Sequence, residues 1–273
     1  MMIVDTHAHA SPFWFEPIEV LLFQMNRNGV AKTMLVAING QTDEKYNRYL
    51  IECAQKFPGR FAPIILVDPE RADAPTMLKH WASQGAEGVR LKVTARSPGS
   101  DPLSIWRACA DLGLVVSCQV RRLEEFASDE LRILVAALPN LIFIIEHLGK
   151  PNLDEAAPYP NYKQALNLAR FPNVYIKVGG LGEICRRPYP FREPFYRGEV
   201  PPFIKMAYDA FGAARMMWGS NYPPSSQVEG YRNTLGYLDE YLDSFCSAQD
   251  QAWMFGKTAL TLSSNQRGVM NHE

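Results

Sequence analysis

The chain is poor in the features that most directly announce a function. Among its 273 residues are only five cysteines, an odd number (Cys53, Cys109, Cys118, Cys185 and Cys246). They are widely spaced and form no CxxC pair, which argues against a disulfide framework or a zinc knot and for reduced thiols in a cytoplasmic protein. Charge of one sign is also lacking: 28 Lys and Arg stand against 29 Asp and Glu. With no basic stripe, neither nucleic acid nor an anionic membrane is expected as a partner. Apolar runs are short and interrupted, so no segment is expected to span a bilayer. The N-terminus reads straight into a strand, with no signal peptide expected. No fixed-period repeat and no low-complexity tract occurs. A homo-oligomer is compatible with this sequence.

What is present is a repeated alternation. Short apolar, strand-like runs occur at 2–6, 33–38, 61–66, 88–93, 114–119, 141–146, 174–178 and 215–218. Amphipathic stretches lie between them, at 17–28, 43–57, 74–84, 103–111, 130–137 and 162–169. Several end in a helix-stop pair such as Asn28-Gly29, Pro58-Gly59 or Gln84-Gly85. Alternation of this kind predicts parallel strands covered by helices, and eight repeats favour closure over an open sheet. The length suits one such barrel, which takes about 250 residues. The expected fold is therefore α/β, a single (β/α)8 TIM-like barrel over residues 1–273. Its longest connections leave strands, at 148–161 and 179–202. The second carries Pro188, Pro190, Pro194, Pro201 and Pro202 with Arg186, Arg187, Arg192 and Arg197. The segment at about 182–202 is read as a lid-like insertion over the C-terminal face, where barrel active sites are built.

Histidine is scarce enough for position to carry meaning: His7, His9, His80, His147 and His272. His7 and His9 are two apart at the end of the first strand, so both rings are expected on one side of it, with Asp5. Such a pair packs poorly as core and serves well as metal ligands or acid–base groups. His147 directly follows the sixth strand. His80 falls in a helix and His272 near the C-terminus, where solvated or structural roles are expected. Arg90 and Lys92 share one face of the fourth strand, and Lys177 lies in the seventh. A buried cation needs a partner or a wet pocket. An anion-binding site and an ion pair with Asp5 or Glu146 are both open readings for Lys92 and Lys177.

In order along the chain, Val4-Asp5-Thr6-His7-Ala8-His9, Gly88-Val89-Arg90-Leu91-Lys92, Glu146-His147-Leu148-Gly149-Lys150-Pro151, Val174-Tyr175-Ile176-Lys177-Val178-Gly179-Gly180, Trp218-Gly219-Ser220-Asn221-Tyr222-Pro223 and Phe255-Gly256-Lys257-Thr258-Ala259 resemble the amidohydrolase superfamily. The likeness is to its amidohydrolase 2 type, the branch of small lactonases and decarboxylases within the metal-dependent hydrolases. It covers nearly the whole chain. It implies a (β/α)8 barrel and, in most members, hydrolysis of a lactone or amide. The family's metal site uses the first-strand HxH, a strand-five histidine and a strand-eight aspartate, with a strand-six histidine as acid or polarising group. Here His7, His9 and His147 match. Gln119 stands at the strand-five position and Asn221 at the strand-eight one. Both replacements weaken a zinc site, and Asn221 cannot take a proton near neutral pH.

The expectation is a hydrolase of a small lactone, carboxylated or sugar-derived. A base among His7, His9 and His147 would activate water, with Asn221 at the catalytic centre. Arg90, Lys92, Gln119, Lys150, Lys177, Ser220 and Tyr222 would bind substrate, aided by arginines of the 186–197 loop. No cofactor is expected to be obligatory. Zinc or another divalent metal would be held weakly, by His7 and His9. The alternatives are a metal-assisted decarboxylase or other lyase of a small carboxylic acid, and a non-catalytic binding protein on the same barrel.

Overall fold

The computed structural model describes residues 2–12, 16–38, 44–186 and 200–263. Eight strands lie within them: β1 (Ile3–Ala8), β2 (Val30–Val36), β3 (Phe61–Ile65), β4 (Gly88–Lys92), β5 (Val115–Gln119), β6 (Phe143–Ile145), β7 (Val174–Val178) and β8 (Met216–Trp218). Every pair is parallel and every strand lies beside its sequence neighbour, the order of a (β/α)8 barrel. Helices α1 (Ile18–Arg27), α2 (Glu44–Lys56), α3 (Ala74–Gln84), α4 (Ser104–Asp111), α5 (Leu123–Phe126), α6 (Asp129–Ala137), α7 (Pro160–Leu166), α8 (Phe203–Phe211) and α9 (Tyr231–Leu242) supply the outer layer. No helix among the described residues is long and apolar enough to cross a membrane. Each expected strand is found. β2 begins three residues earlier than its apolar run, because Val30 and the polar Lys32 already pair with Ile3 and Val4 of β1. The expected lid falls mostly on 187–199 and, with its Arg187, Arg192 and Arg197, lies outside the described residues, as does His272.

The two-residue period of the strands divides the barrel interior by height. Its lower part is apolar: Val4, Met34, Val36, Ala62, Ile64, Val115, Ile144 and Met217 form one buried cluster, closed from below by Ala259 and Leu262. Two residues further along three of the strands, the same inward side becomes polar. Gly88 gives way to Arg90, Val115 to Ser117 and Ile144 to Glu146, each buried. Sequence alternation thus places ionisable groups at the C-terminal mouth.

Closure between β8 and β1 is irregular. Ala8 bridges Tyr222, the His9 amide donates to the Tyr222 carbonyl at 2.8 Å, and the Asn221 amide to the His7 carbonyl at 2.7 Å. Gly219 is needed for this approach, since a Cβ there would sit 2.6 Å from the His7 Cβ. The β1–β2 register shifts between Asp5 and Ala8, and an irregularity of that kind breaks side-chain alternation. This corrects the expectation for Asp5. Its carboxylate does not join His7 and His9 but turns into the seam. There it accepts from the His7 and Ser220 amides (3.0 and 2.8 Å), the Ser220 hydroxyl (2.6 Å) and the Tyr231 hydroxyl of α9 (3.0 Å).

Candidate active site

Three imidazoles meet at the barrel mouth. The His7 ring lies edge-on to His147 and to His9, with centroids 4.6 and 4.9 Å apart. Their partners fix what each nitrogen carries. His9 Nδ1 is 2.7 Å from the Val36 carbonyl, so it bears the proton and donates. His147 Nδ1 is 2.9 Å from Glu183 Oε1, which places its proton there and leaves a lone pair on Nε2. His7 Nδ1 lies 3.3 Å from the Lys177 ammonium. It therefore accepts, and the His7 proton sits on Nε2, a buried atom with no protein partner. A buried, unpartnered N–H amid three rings is what a ligand site leaves behind.

Beneath the rings Glu146 gathers the charge. Its carboxylate takes Arg90 Nε (2.9 and 3.2 Å), Arg90 Nη2 (2.7 Å) and the Ser117 hydroxyl (2.7 Å). Ser117 Oγ in turn accepts from Lys177 at 2.7 Å, and the remaining Arg90 Nη1 reaches the Ala37 carbonyl at 3.0 Å. Burial alone would raise the Glu146 carboxyl, but Arg90 and Lys177 outweigh it and hold it far below the usual carboxylate range. Burial, with Arg90 adding to it against the pull of Glu146, brings Lys177 down to about 8. Burial and then Lys177 push His7 well below its ordinary range, and burial with Arg90 brings His9 to about 3. His7 and His9 are thus neutral at physiological pH, as hydrogen-bonding groups rather than bases.

His147 sits on an unusual piece of backbone. His147, Leu148, Gly149 and Lys150 have φ of 51°, 53°, 76° and 53°, a run of left-handed residues of which three are not glycine. That conformation costs roughly 1–2 kcal/mol at each non-glycine position. Strain of this kind persists where surrounding contacts over-determine it, typically at functional sites. The turn lifts the His147 ring off the β6 ladder to meet Glu183, which lies beyond β7.

The other expected site residues divide in two. Lys92 pairs in register with Gln119 at the ends of β4 and β5. Lys92 is exposed and, with Arg90, Arg96 and Arg121, lines a cavity of about 380 Å³ that also carries Asp68 and Glu70. Asn221 stands at the end of β8 with φ 52° and is half-buried. Lys150 is exposed. Ser220 and Tyr222 are engaged elsewhere: the Ser220 hydroxyl is held by Asp5, the Tyr222 hydroxyl by Glu16, and the Tyr222 ring packs on Tyr231. Both build the seam under His7 rather than offering a hydroxyl to the cavity. Arg90 is likewise consumed by Glu146. Arg186 pairs with Asp154 at the surface. The sequence reading missed Ser117 and Glu183 and saw Glu146 only as an ion-pair partner. A lone acid closing an apolar strand was the available signal for Glu146; Glu183 lies in an irregular connection with none.

His7, Glu146 and His147 offer ligand atoms within 4.8 Å of one another. The donor set nonetheless does not fit a tightly held zinc ion. Both Glu146 oxygens already accept from Arg90, the unpartnered His7 nitrogen carries the proton, and two buried cations oppose a dication. Gln119 and Asn221 add only carboxamides where a zinc site prefers imidazole or carboxylate.

A family model described as amidohydrolase matches residues 4–262. Among curated proteins, an L-fucono-1,5-lactonase of Burkholderia ambifaria is 25% identical over 85% of this chain and 80% of its own. A 4-sulfomuconolactone hydrolase of Hydrogenophaga intermedia is 25% identical over 75% of this chain and 65% of its own. Among solved structures, a zinc-bound amidohydrolase of Burkholderia multivorans superposes with TM-score 0.77 at 18% identity, covering 95% of this chain and 98% of that one.

Proposed function

The chain belongs to the amidohydrolase family, and from that premise we propose that it hydrolyses a small lactone, carboxylated or sugar-derived, with His147 as the base. The observation that carries this reading is the opposition of two ring nitrogens. His147 Nε2 bears a lone pair because Nδ1 is bound to Glu183, and His7 Nε2 bears a proton because Nδ1 faces Lys177. One can take a proton from water while the other donates to a carbonyl oxygen. Two curated relatives are named for lactones, one of them sulfonated. The cavity that Arg90 shares carries Lys92, Arg96 and Arg121 beside Asp68 and Glu70, one more cation than acid even with Arg90 taken by Glu146, which suits an anionic substituent on the ring.

The steps balance without a further reactant. Water loses a proton to His147 Nε2 as its oxygen bonds to the lactone carbonyl carbon. The developing oxyanion accepts from His7 Nε2–H, backed by the Lys177 charge. Collapse breaks the ring C–O bond, and the leaving alkoxide takes the proton from His147, giving a hydroxy acid. Of the three bases the sequence left open, His147 alone combines an oriented Nε2 lone pair with a carboxylate partner. His9 is too weakly basic for the task, and His7 presents N–H.

The test is a panel of aldonolactones and carboxylated or sulfonated lactones, assayed after metal removal and again with added zinc. Turnover of at least one by the metal-stripped protein is expected. Strict dependence on stoichiometric zinc would refute the metal-light reading, and no turnover under either condition would refute lactone hydrolysis. Because Asn221 supplies no carboxylate at β8, release of carbon dioxide from unsaturated or aromatic acids is the outcome that would move the assignment to a decarboxylase.

A further inference from the structure

His7 Nδ1 has two neighbours that ask opposite things of it. The Lys177 ammonium, 3.3 Å away, calls for a lone pair on that nitrogen. Glu146 Oε1, 3.8 Å away, calls for a proton there. A neutral ring carries only one proton. Whichever neighbour commands Nδ1 therefore decides what Nε2 presents to the cavity. An Nε2–H that can hold an oxyanion requires the ammonium to prevail over the carboxylate.

The residue that touches both contestants is Ser117. Strand alternation turns it inward above Val115, and register sets it beside Arg90 of β4. It is buried, and its hydroxyl is used in both directions. The proton goes to Glu146 Oε1 at 2.7 Å, and the oxygen accepts from Lys177 Nζ at 2.7 Å. The first bond, with Arg90 Nε at 2.9 Å, fills the carboxylate oxygen nearest His7. The second sets the ammonium one hydroxyl back from that carboxylate. Glu146 pairs with Arg90 and approaches His7 and His147, but makes no direct ion pair with Lys177. We infer that Ser117 is a positioning residue for His7: its hydroxyl keeps Lys177 off Glu146 and on His7 Nδ1, which fixes the His7 proton on Nε2. In an alanine variant, Lys177 loses an acceptor and Glu146 a donor. Buried opposite charges attract strongly in low dielectric, so the flexible lysine closes on the carboxylate and leaves Nδ1. The His7 proton then moves to Nδ1, where Glu146 accepts it.

The inference rests on the proposed role of His7 as oxyanion donor, so its test has a readout apart from turnover. In the full-length protein at neutral pH, the His7 tautomer is read from ring ¹⁵N shifts, assigned by comparison with H7N. With five histidines in the chain, the spectrum is tractable. Wild type should show the Nε2–H form, and S117A and K177M should lose or mix it. S117T keeps the hydroxyl on a side chain suited to a strand and should keep the wild-type form. In lactone turnover, S117A should lower kcat by about tenfold with KM little changed, short of the roughly 10²–10³ lost when an oxyanion donor is deleted outright. S117T should recover most of that loss. An unchanged His7 tautomer in S117A would overturn the inference. A tautomer left unchanged by K177M would overturn the part given to the ammonium, and equal damage from S117T and S117A would overturn the part given to the hydroxyl. If wild type turns over no lactone while the tautomer shifts in S117A and K177M, the positioning role stands and the lactone reading falls.

Discussion

Replacing Glu146 by glutamine should be among the most destabilising single changes at the mouth of this barrel. Its carboxylate takes three contacts of 3.2 Å or less from Arg90 and one of 2.7 Å from Ser117, with Lys177 one hydroxyl further on. Both Arg90 and Glu146 are buried, at 5% and 1% exposure, so neither charge is screened by water. Removing one member of such a pair leaves an uncompensated buried cation, at a cost of about 3–5 kcal/mol. A carboxamide still accepts one hydrogen bond, so glutamine should fall at the lower end and E146L at the upper. For a domain of this size that is a fall in Tm of roughly 6–20 °C. The double variant R90M/E146L should lose less than E146L alone, because removing both charges restores balance. The pH dependence has a definite sign. Glu146 is depressed in the folded state, so its stabilisation is complete above the ordinary carboxylate range and is lost as pH falls below it. E146Q should therefore show a flatter acid limb than wild type. Urea unfolding followed by circular dichroism from pH 3 to 8 measures all of this. A loss below about 1 kcal/mol for E146Q, within the range of an exposed ion pair, would refute the reasoning, as would strict additivity in the double variant.

Lys177 must be charged to hold the His7 tautomer, so kcat/KM should fall as pH rises through about 8, and K177M should lower the rate and abolish that alkaline limb. Gly219→Ala should destabilise by about 1–3 kcal/mol through overpacking, because the added Cβ meets that of His7 at 2.6 Å; a G219A variant as stable as wild type would show that the β1–β8 seam yields. Lys150→Gly should relieve a left-handed φ of 53° and raise stability by up to about 1 kcal/mol, the strain released less the added freedom of the unfolded chain. If Lys150 also grips an anionic substituent, the same variant should raise KM for carboxylated lactones and not for neutral ones.

The barrel was legible because parallel strands buried on both faces are apolar runs, and helices between them end on glycine pairs. His7, His9 and His147 were legible because strand ends are identifiable and imidazole is rare in this chain. Asp5 was misplaced because a register shift in β1 breaks alternation, and nothing in Val-Asp-Thr-His marks such a shift. Ser220 and Tyr222 lie in the same motif as Asn221, but only the seam geometry shows that their hydroxyls are already taken. Lys92 and Lys177 were read as buried cations with Glu146 as one open ion-pair partner, but Lys92 is exposed. Only the third dimension shows that Arg90 takes the Glu146 carboxylate while Lys177 reaches it through Ser117. Glu183 comes from a loop whose spacing in sequence carries no periodic signal.

The account turns on His147 Nε2 as the proton acceptor in a reaction without obligatory zinc. Its most direct test is the rate of lactone hydrolysis by metal-stripped wild type beside metal-stripped H147N. Wild type should retain turnover, and H147N should lose about 10²–10⁴-fold in kcat with KM little changed. Retention of most of the activity by H147N, or recovery of wild type only on adding zinc, would contradict it.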